Sequence, residues 1–120
     1  MRREWDHTLV NTPQMLYQMV DQLSKRSYVG FDIETTGLAW WREARTLGLG
    51  FGFIVGDCVK TWYVPINHDD KKGNLPVGFT YEQVRPILSS ESIRKIGANI
   101  KFDAHFMRMA GNEINSLDDI

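Results

Sequence analysis

Two carboxylates one residue apart, Asp32 and Glu34, sit in the segment Tyr28-Val-Gly-Phe-Asp-Ile-Glu-Thr-Thr-Gly-Leu38. Tyr28 to Ile33 reads as a buried strand, aromatic and β-branched, running into a Thr-Thr-Gly turn. Successive side chains of a strand point to opposite faces, so Asp32 and Glu34 share one face. Carboxylates that close repel, and burial would force one to protonate unless cations intervene. Mg²⁺ or Mn²⁺, hard ions selected by oxygen ligands and negative charge, would resolve the conflict. A second acidic segment, Gly97-Ala-Asn-Ile-Lys-Phe-Asp103, places Asn99 and Asp103 one turn apart if a helix starts near Asn99. Read alone, Asn99 is a helix cap and Asp103 a first-turn acid complementing the helix dipole.

The elements that must position these groups follow from local pattern. His7 to Asn11 reads as a short edge strand. Thr12 is an N-cap with Pro13 at the first helical position. Met15, Leu16, Met19, Val20 and Leu23 then recur at helical spacing, with Lys25 and Arg26 at the C-terminal end. Thr46 to Val55 alternates, with Leu47, Leu49, Phe51 and Phe53 on one face and Gly48, Gly50 and Gly52 on the other. The glycines lie within a strand and fail the G-x-G-x-x-G spacing, so they read as room for a close neighbour rather than as a dinucleotide loop. Gly56-Asp57 is a tight turn, Val59 to Ile66 returns as the second hairpin strand, and Asn67 to Gly78 is loop. Thr80-Tyr-Glu-Gln83 matches a capping box opening a helix with Val84, Ile87 and Leu88, which Pro86 should kink or delay. Arg94 to Ala98 is a short strand, and Lys101 to Ala110 a helix ended by Gly111. Phe102, Phe106 and Met109 form an apolar stripe on that helix. The expected class is α/β, a mixed sheet flanked by helices.

Composition narrows the functional classes. At 120 residues the chain is one domain, residues 1–120, with room for a single core. A net charge of −1 supplies no global field for a long polyanion, so a nucleic-acid ligand would be held locally, with metal ions neutralising phosphate. One cysteine, Cys58, excludes an internal disulfide and a multi-cysteine metal site and fits a reducing compartment. The start lacks an apolar signal region and no run spans a membrane, so a cytoplasmic location is expected. His7, His68 and His105 are too scattered for zinc, and surface or capping roles suit them. Lys71-Lys72 and Arg94-Lys95 read as solvated basic pairs, while Trp40 and Trp41 suit packing and substrate contact equally.

Asp-Ile-Glu-Thr-Thr-Gly-Leu followed by Gly-Ala-Asn-Ile-Lys-Phe-Asp resembles the first two motifs of the DEDD 3′–5′ exonucleases. Trp62-Tyr-Val-Pro-Ile-Asn-His68 is similar to the Tyr-Ile-Pro-x-x-His segment closing the β-hairpin of family A (DNA polymerase I-like) proofreading domains. The first motif is shared with proofreading subunits of bacterial replicases, the second with ribonuclease D-like enzymes. The resemblance covers roughly residues 7 to 120 and implies a ribonuclease H-like fold. It also implies two-metal-ion hydrolysis releasing 3′-terminal nucleotides as 5′-monophosphates. By resemblance, Asp32 bridges two divalent ions (Mg²⁺ or Mn²⁺), Glu34 holds the nucleophile-side ion and orients water, and Asp103 binds the second. Thr35, Leu38, Asn99 and Phe102 line the pocket for the terminal nucleotide, with Leu38 wedged against the last base. The implied partners are a single-stranded DNA 3′ end, with little base specificity, and a polymerase module in the same full-length protein.

The resemblance also requires a fourth acid, in a Tyr-x3-Asp or His-x3-Asp helix after the second motif. Tyr28-x3-Asp32 uses the first strand's own acid, and Tyr17-x3-Asp21 lies on the N-terminal helix. Asp118 and Asp119 have no suitably spaced partner and read as a polar chain end. The expectation is therefore a domain truncated at its C-terminus, impaired in hydrolysis, with an apolar patch left exposed. The competing expectations are a non-catalytic fragment that binds single-stranded 3′ ends or a protein partner, a ribonuclease D-like exoribonuclease, and a ribonuclease H-like endonuclease. The tight Asn99-x3-Asp103 spacing disfavours the last.

Overall fold

The computed structural model describes residues 4–37, 44–69 and 73–120. In chain order the elements are β1 (Glu4–Leu9), α1 (Pro13–Ser24), β2 (Tyr28–Thr35), β3 (Thr46–Val55), β4 (Cys58–Pro65), α2 (Val77–Ser89), β5 (Arg94–Gly97), α3 (Ile100–Met109) and β6 (Leu117–Asp119). The strands form one mixed sheet in the order β1-β4-β3-β2-β5-β6. β4, β3 and β2 are antiparallel neighbours, β1 runs parallel to β4, and β5 and β6 extend the other side in parallel. This is the expected α/β architecture of mixed sheet and helices.

Period-2 alternation decides which face is buried. Val29 and Phe31 of β2, Leu49, Phe51 and Phe53 of β3, and Trp62 and Val64 of β4 join one core with Leu16, Met19 and Leu23 of α1, Val84, Ile87 and Leu88 of α2, and Ile100, Ala104 and Met107 of α3. The connections into β5 and β6 each run through a helix, and parallel crossovers of one hand put those helices on one face. The opposite face carries Gly30 and Asp32, paired to Gly52 and Gly50 of β3, which are paired in turn to Thr61 and Tyr63 of β4. Trp5, Leu9, Tyr28 and Ile54 are exposed there.

Several local expectations hold. Thr12 caps α1 through its hydroxyl, which accepts from the Met15 amide at 3.2 Å, with Pro13 in the first turn. Gly56 turns the hairpin at φ 57° and Gly111 ends α3 at φ 85°, both left-handed positions that favour glycine. The alternate glycines of β3 do admit a neighbour, because a Cβ on Gly48 would overlap the Tyr63 ring and one on Gly52 would meet the Lys60 carbonyl at 2.9 Å.

Others are corrected. α2 begins at Val77, inside the expected loop, and its N-cap is Pro76, without a side-chain hydrogen bond. Thr80 is therefore an interior helical residue whose buried hydroxyl has no partner among the described residues, not the first half of a capping box. Pro86 lies within α2 without delaying its start. A proline there cannot donate to the carbonyl one turn back, yet Val84, Ile87 and Leu88 around it are fully buried, and packing holds the helix together. Asp118 and Asp119 are not a loose polar end but lie in β6, whose backbone pairs with β5. Met109 leaves the core stripe and is 62% exposed, and Met15 of α1 is exposed too. Lys95 is completely buried rather than solvated, its ammonium donating to the carbonyls of Ile87 (2.9 Å), Ser90 (2.6 Å) and Ile93 (2.6 Å). It thus supplies from β5 the cation that the C-terminal turn of α2 lacks. Leu38, Trp40, Trp41, Lys71 and Lys72 lie outside the described residues.

Candidate active site

Asp32 and Glu34 project from the end of β2 on the open face, both exposed. β2 ends here with a register shift between Glu34 and Thr35, after which the Thr35 hydroxyl donates to the Gly37 carbonyl at 2.7 Å. The Thr36 amide and the Arg45 carbonyl close the turn at 3.0 Å. Thr35 is thus half-buried and occupied with its own turn.

Asp103 arrives from the first turn of α3 and is 3% exposed. What lets it come so close is Gly97 at the end of β5. A Cβ there would stand 2.5 Å from the Phe31 carbonyl, so only glycine allows β5 to run this tightly along β2 before the chain turns into α3. Asn99 then takes the N-cap position in the left-handed region, φ 55° and ψ 41°, which asparagine tolerates better than most residues. Its side chain caps nothing. Its backbone N–H donates to the Asp119 carboxylate of β6 at 2.8 Å, so a strand that sequence pattern does not reveal anchors the entry to α3. Phe102 is half-buried and packs on Phe106, with ring centroids 5.0 Å apart.

Asp103 and Asp32 are brought together. Burial, and next the Asp32 carboxylate beside it, push the Asp103 pKa up to about 7, opposed by the Ile33 backbone amide. One oxygen, Oδ2, is buried without a hydrogen-bond partner among the described residues. An unpaired buried carboxylate oxygen facing a second carboxylate is costly, and it is the arrangement a hard cation repairs.

Glu34 does not complete the expected trio. Among the described residues no three His, Cys, Asp or Glu side chains are grouped to hold a metal ion as they stand. Like charges repel, and Glu34 finds a better partner in the Tyr63 hydroxyl, which donates to its Oε2 at 2.7 Å. His68 lies behind Tyr63, Nε2 to hydroxyl 2.7 Å, with its ring edge-on to Tyr63 and its Nε2 3.9 Å from Glu34. Burial, then the bond to Glu34, raise the Tyr63 pKa, so the phenol keeps its proton. His68 thus has a place beside the acids, beyond the surface or capping role its isolation in the sequence suggests. The one signal for that place is the Trp62–His68 segment itself.

Asp32, Gly30, Gly50, Gly97, His7 and Tyr63 line an open depression of about 460 Å³ on the sheet. Its floor is glycine, so a flat or extended ligand can approach the backbone beside the acids. Neither Asn99 nor Phe102 is among its walls.

A 3′–5′ exonuclease family model matches residues 8–120. DNA polymerase I of Rhizobium leguminosarum is 27% identical over 107 residues, 76% of this chain but only 10% of that protein. Among solved structures, Trypanosoma brucei RNase D superposes with a TM-score of 0.73 at 18% identity, covering 99% of this chain and 39% of that one. The catalytic core of RRP6 from the same organism gives 0.71 at 18%, covering 94% and 28%. At that identity the two structures show a shared fold. The chain spans about a tenth of the polymerase it matches and well under half of either structure.

Proposed function

The chain belongs to the 3′–5′ exonuclease family, and from that premise we propose that it is the acidic-sheet portion of a metal-dependent exonuclease that trims single-stranded DNA 3′ ends in a DNA polymerase I-like protein. The observation carrying this reading is the forced approach of Asp103 to Asp32, with Asp103 Oδ2 buried and unpartnered among the described residues. No structural role explains holding two carboxylates together at a sheet end, whereas cation binding does.

The residues present fit a hard divalent ion. Asp32 and Asp103 would hold it through carboxylate oxygens, and Glu34 stands on the same strand face to join them. Such ions, when bound, activate water and stabilise charge on a displaced oxygen. The chain's own contributions are positional. Asp32 and Asp103 fix where the scissile phosphate sits, since phosphate binds only where cation charge offsets these acids. The glycine floor admits the strand lengthwise, and Glu34, held by Tyr63 from the depression's wall, would orient a water. The fourth acid implied by the resemblance, and a polymerase module, would be supplied by other parts of the full-length protein. Release of nucleoside 5′-monophosphates is the expected outcome, with preference for frayed or single-stranded ends because a paired end must first be melted.

The test is digestion of a 5′-labelled single-stranded DNA oligonucleotide with Mg²⁺ or Mn²⁺, beside an Asp32→Ala control. A ladder shortening from the 3′ end, absent from the control, supports the reading; an undigested substrate with folded protein makes this chain non-catalytic by itself. Because one of the matched structures is named RNase D, an RNA oligonucleotide of the same sequence runs in parallel, and faster RNA shortening would favour an exoribonuclease.

A further inference from the structure

We infer that Tyr63 and His68 are positioning residues for Glu34, a strut that fixes its carboxylate on the strand face it shares with Asp32, ready to join the cation site. This rests on the exonuclease reading and goes beyond it in naming what aims the third acid. Tyr63 has one hydroxyl proton, and it is given to Glu34 Oε2 at 2.7 Å. The 2.7 Å contact with His68 must then run from the Nε2–H of His68 to the Tyr63 oxygen, which fixes the tautomer.

The strut is built at both ends. Glu34 lies opposite Gly48, and Gly48 lies opposite Pro65, so the Tyr63 ring leans from the next register position into space that a side chain at 48 would fill. Only glycine leaves that gap. At the far end, Asn74 grips the His68 backbone twice, its carbonyl oxygen accepting from the His68 amide at 3.2 Å and its amide donating to the His68 carbonyl at 2.9 Å. The chain just before is pinned as well, since the Ile66 and Asn67 amides both donate to the Leu47 carbonyl, at 2.9 and 3.1 Å. A surface histidine with no task would not need such an anchored backbone. Partners that orient metal-binding carboxylates typically change metal affinity or activity about 10–100-fold when removed.

Mn²⁺ binding, followed by loss of the free-ion electron paramagnetic resonance signal, is measured for the wild type, Asp32→Ala, Tyr63→Phe, His68→Ala and His68→Gln. Urea melts of each variant accompany the titrations. Tyr63→Phe keeps the ring in the Gly48 gap and removes only the hydroxyl, so its urea midpoint should match wild type while Mn²⁺ affinity falls about 10-fold. His68→Ala should lose several-fold, and His68→Gln, which still offers an N–H to Tyr63, should regain most of it. Oligonucleotide digestion should show kcat reduced with KM little changed. Wild-type Mn²⁺ affinity in Tyr63→Phe and His68→Ala, with binding lost in Asp32→Ala, would overturn the strut and leave the exonuclease reading standing. Equal binding by wild type and Asp32→Ala would overturn both.

Discussion

Replacing Asp103 with asparagine should stabilise the metal-free protein while removing its affinity for divalent ions. The carboxyl is 3% exposed, and burial together with Asp32 lifts its pKa from 3.8 to about 7. Each unit of such a shift is worth about 1.4 kcal/mol, so above pH 7 the ionised group costs the fold on the order of 4 kcal/mol. The sign follows from proton counting. Between pH 3.8 and about 7 the folded chain keeps a proton that the unfolded chain has lost, so stability falls as pH rises through that window and the loss is complete above it.

The substituted amide is nearly isosteric with the carboxyl and carries no charge. Its oxygen can accept from the Ile33 amide and its nitrogen can donate toward Asp32, as a protonated carboxyl would. Burying an amide with imperfect partners takes back part of the gain, leaving about 2 kcal/mol in favour of Asp103→Asn at pH 8. The assay is urea unfolding in EDTA at pH 4, 6 and 8. The variant should be about 1–2 kcal/mol less stable than wild type at pH 4, and the difference should reverse to about 2 kcal/mol in its favour by pH 8. Adding Mn²⁺ at pH 8 should then stabilise only the wild type, through ligand linkage. A variant less stable than wild type at pH 8, or a difference independent of pH, would refute the account of Asp103 as a strained carboxylate.

Other perturbations read other joints. Lys95→Met leaves three buried carbonyls without their donor and should cost about 3 kcal/mol at pH 7 by urea melts. Burial lowers the Lys95 pKa to about 8 from 10.5, so the unfolded chain holds the extra proton between those values. The wild type should therefore gain stability over the variant as pH rises from 8 to 10.5. Gly97→Ala must push β5 off the Phe31 carbonyl and should cost about 2 kcal/mol, with weaker Mn²⁺ binding because Asp103 moves with α3. Gly78→Ala, within α2 and with nothing near its Cβ, should instead gain about 0.5–1 kcal/mol in the same melts; a loss there would contradict the α2 boundary.

The strand alternations and the Thr12 cap were legible because each rests on a local rule. Alternation fixed the face of Asp32, whereas the meeting of the two acidic segments was implied by the resemblance to the exonuclease motifs. What escaped was decided by tertiary contact. The start of α2 at Val77 has no capping residue to announce it and follows from burial of Tyr81, Val84 and Leu88. β6 is three residues long and acidic, and it exists because β5 offers a free edge. Lys95 looks like any surface lysine until α2's last carbonyls are brought over it. The trio of acids was legible as a set of residues but not as a geometry, since nothing in the spacing shows Glu34 bonded to Tyr63.

The site is therefore best understood as opposed constraints carried by two glycines. Gly97 draws β5 against β2 and so drives Asp103 onto Asp32, creating electrostatic strain that a bound cation would relieve. Gly48 makes room for the Tyr63 ring, whose hydroxyl fixes Glu34 on the face it shares with Asp32. Were all three carboxylates packed together with no partner, desolvation and repulsion would push more than one to protonate, and protonated acids are poor ligands for hard ions. Dividing the acids into a compressed pair and a tethered third fixes Glu34 in place while confining the electrostatic cost to Asp103. The sheet tolerates that cost because it falls at the end of β2, beyond the apolar core built on Val29, Phe31, Leu49 and Phe51.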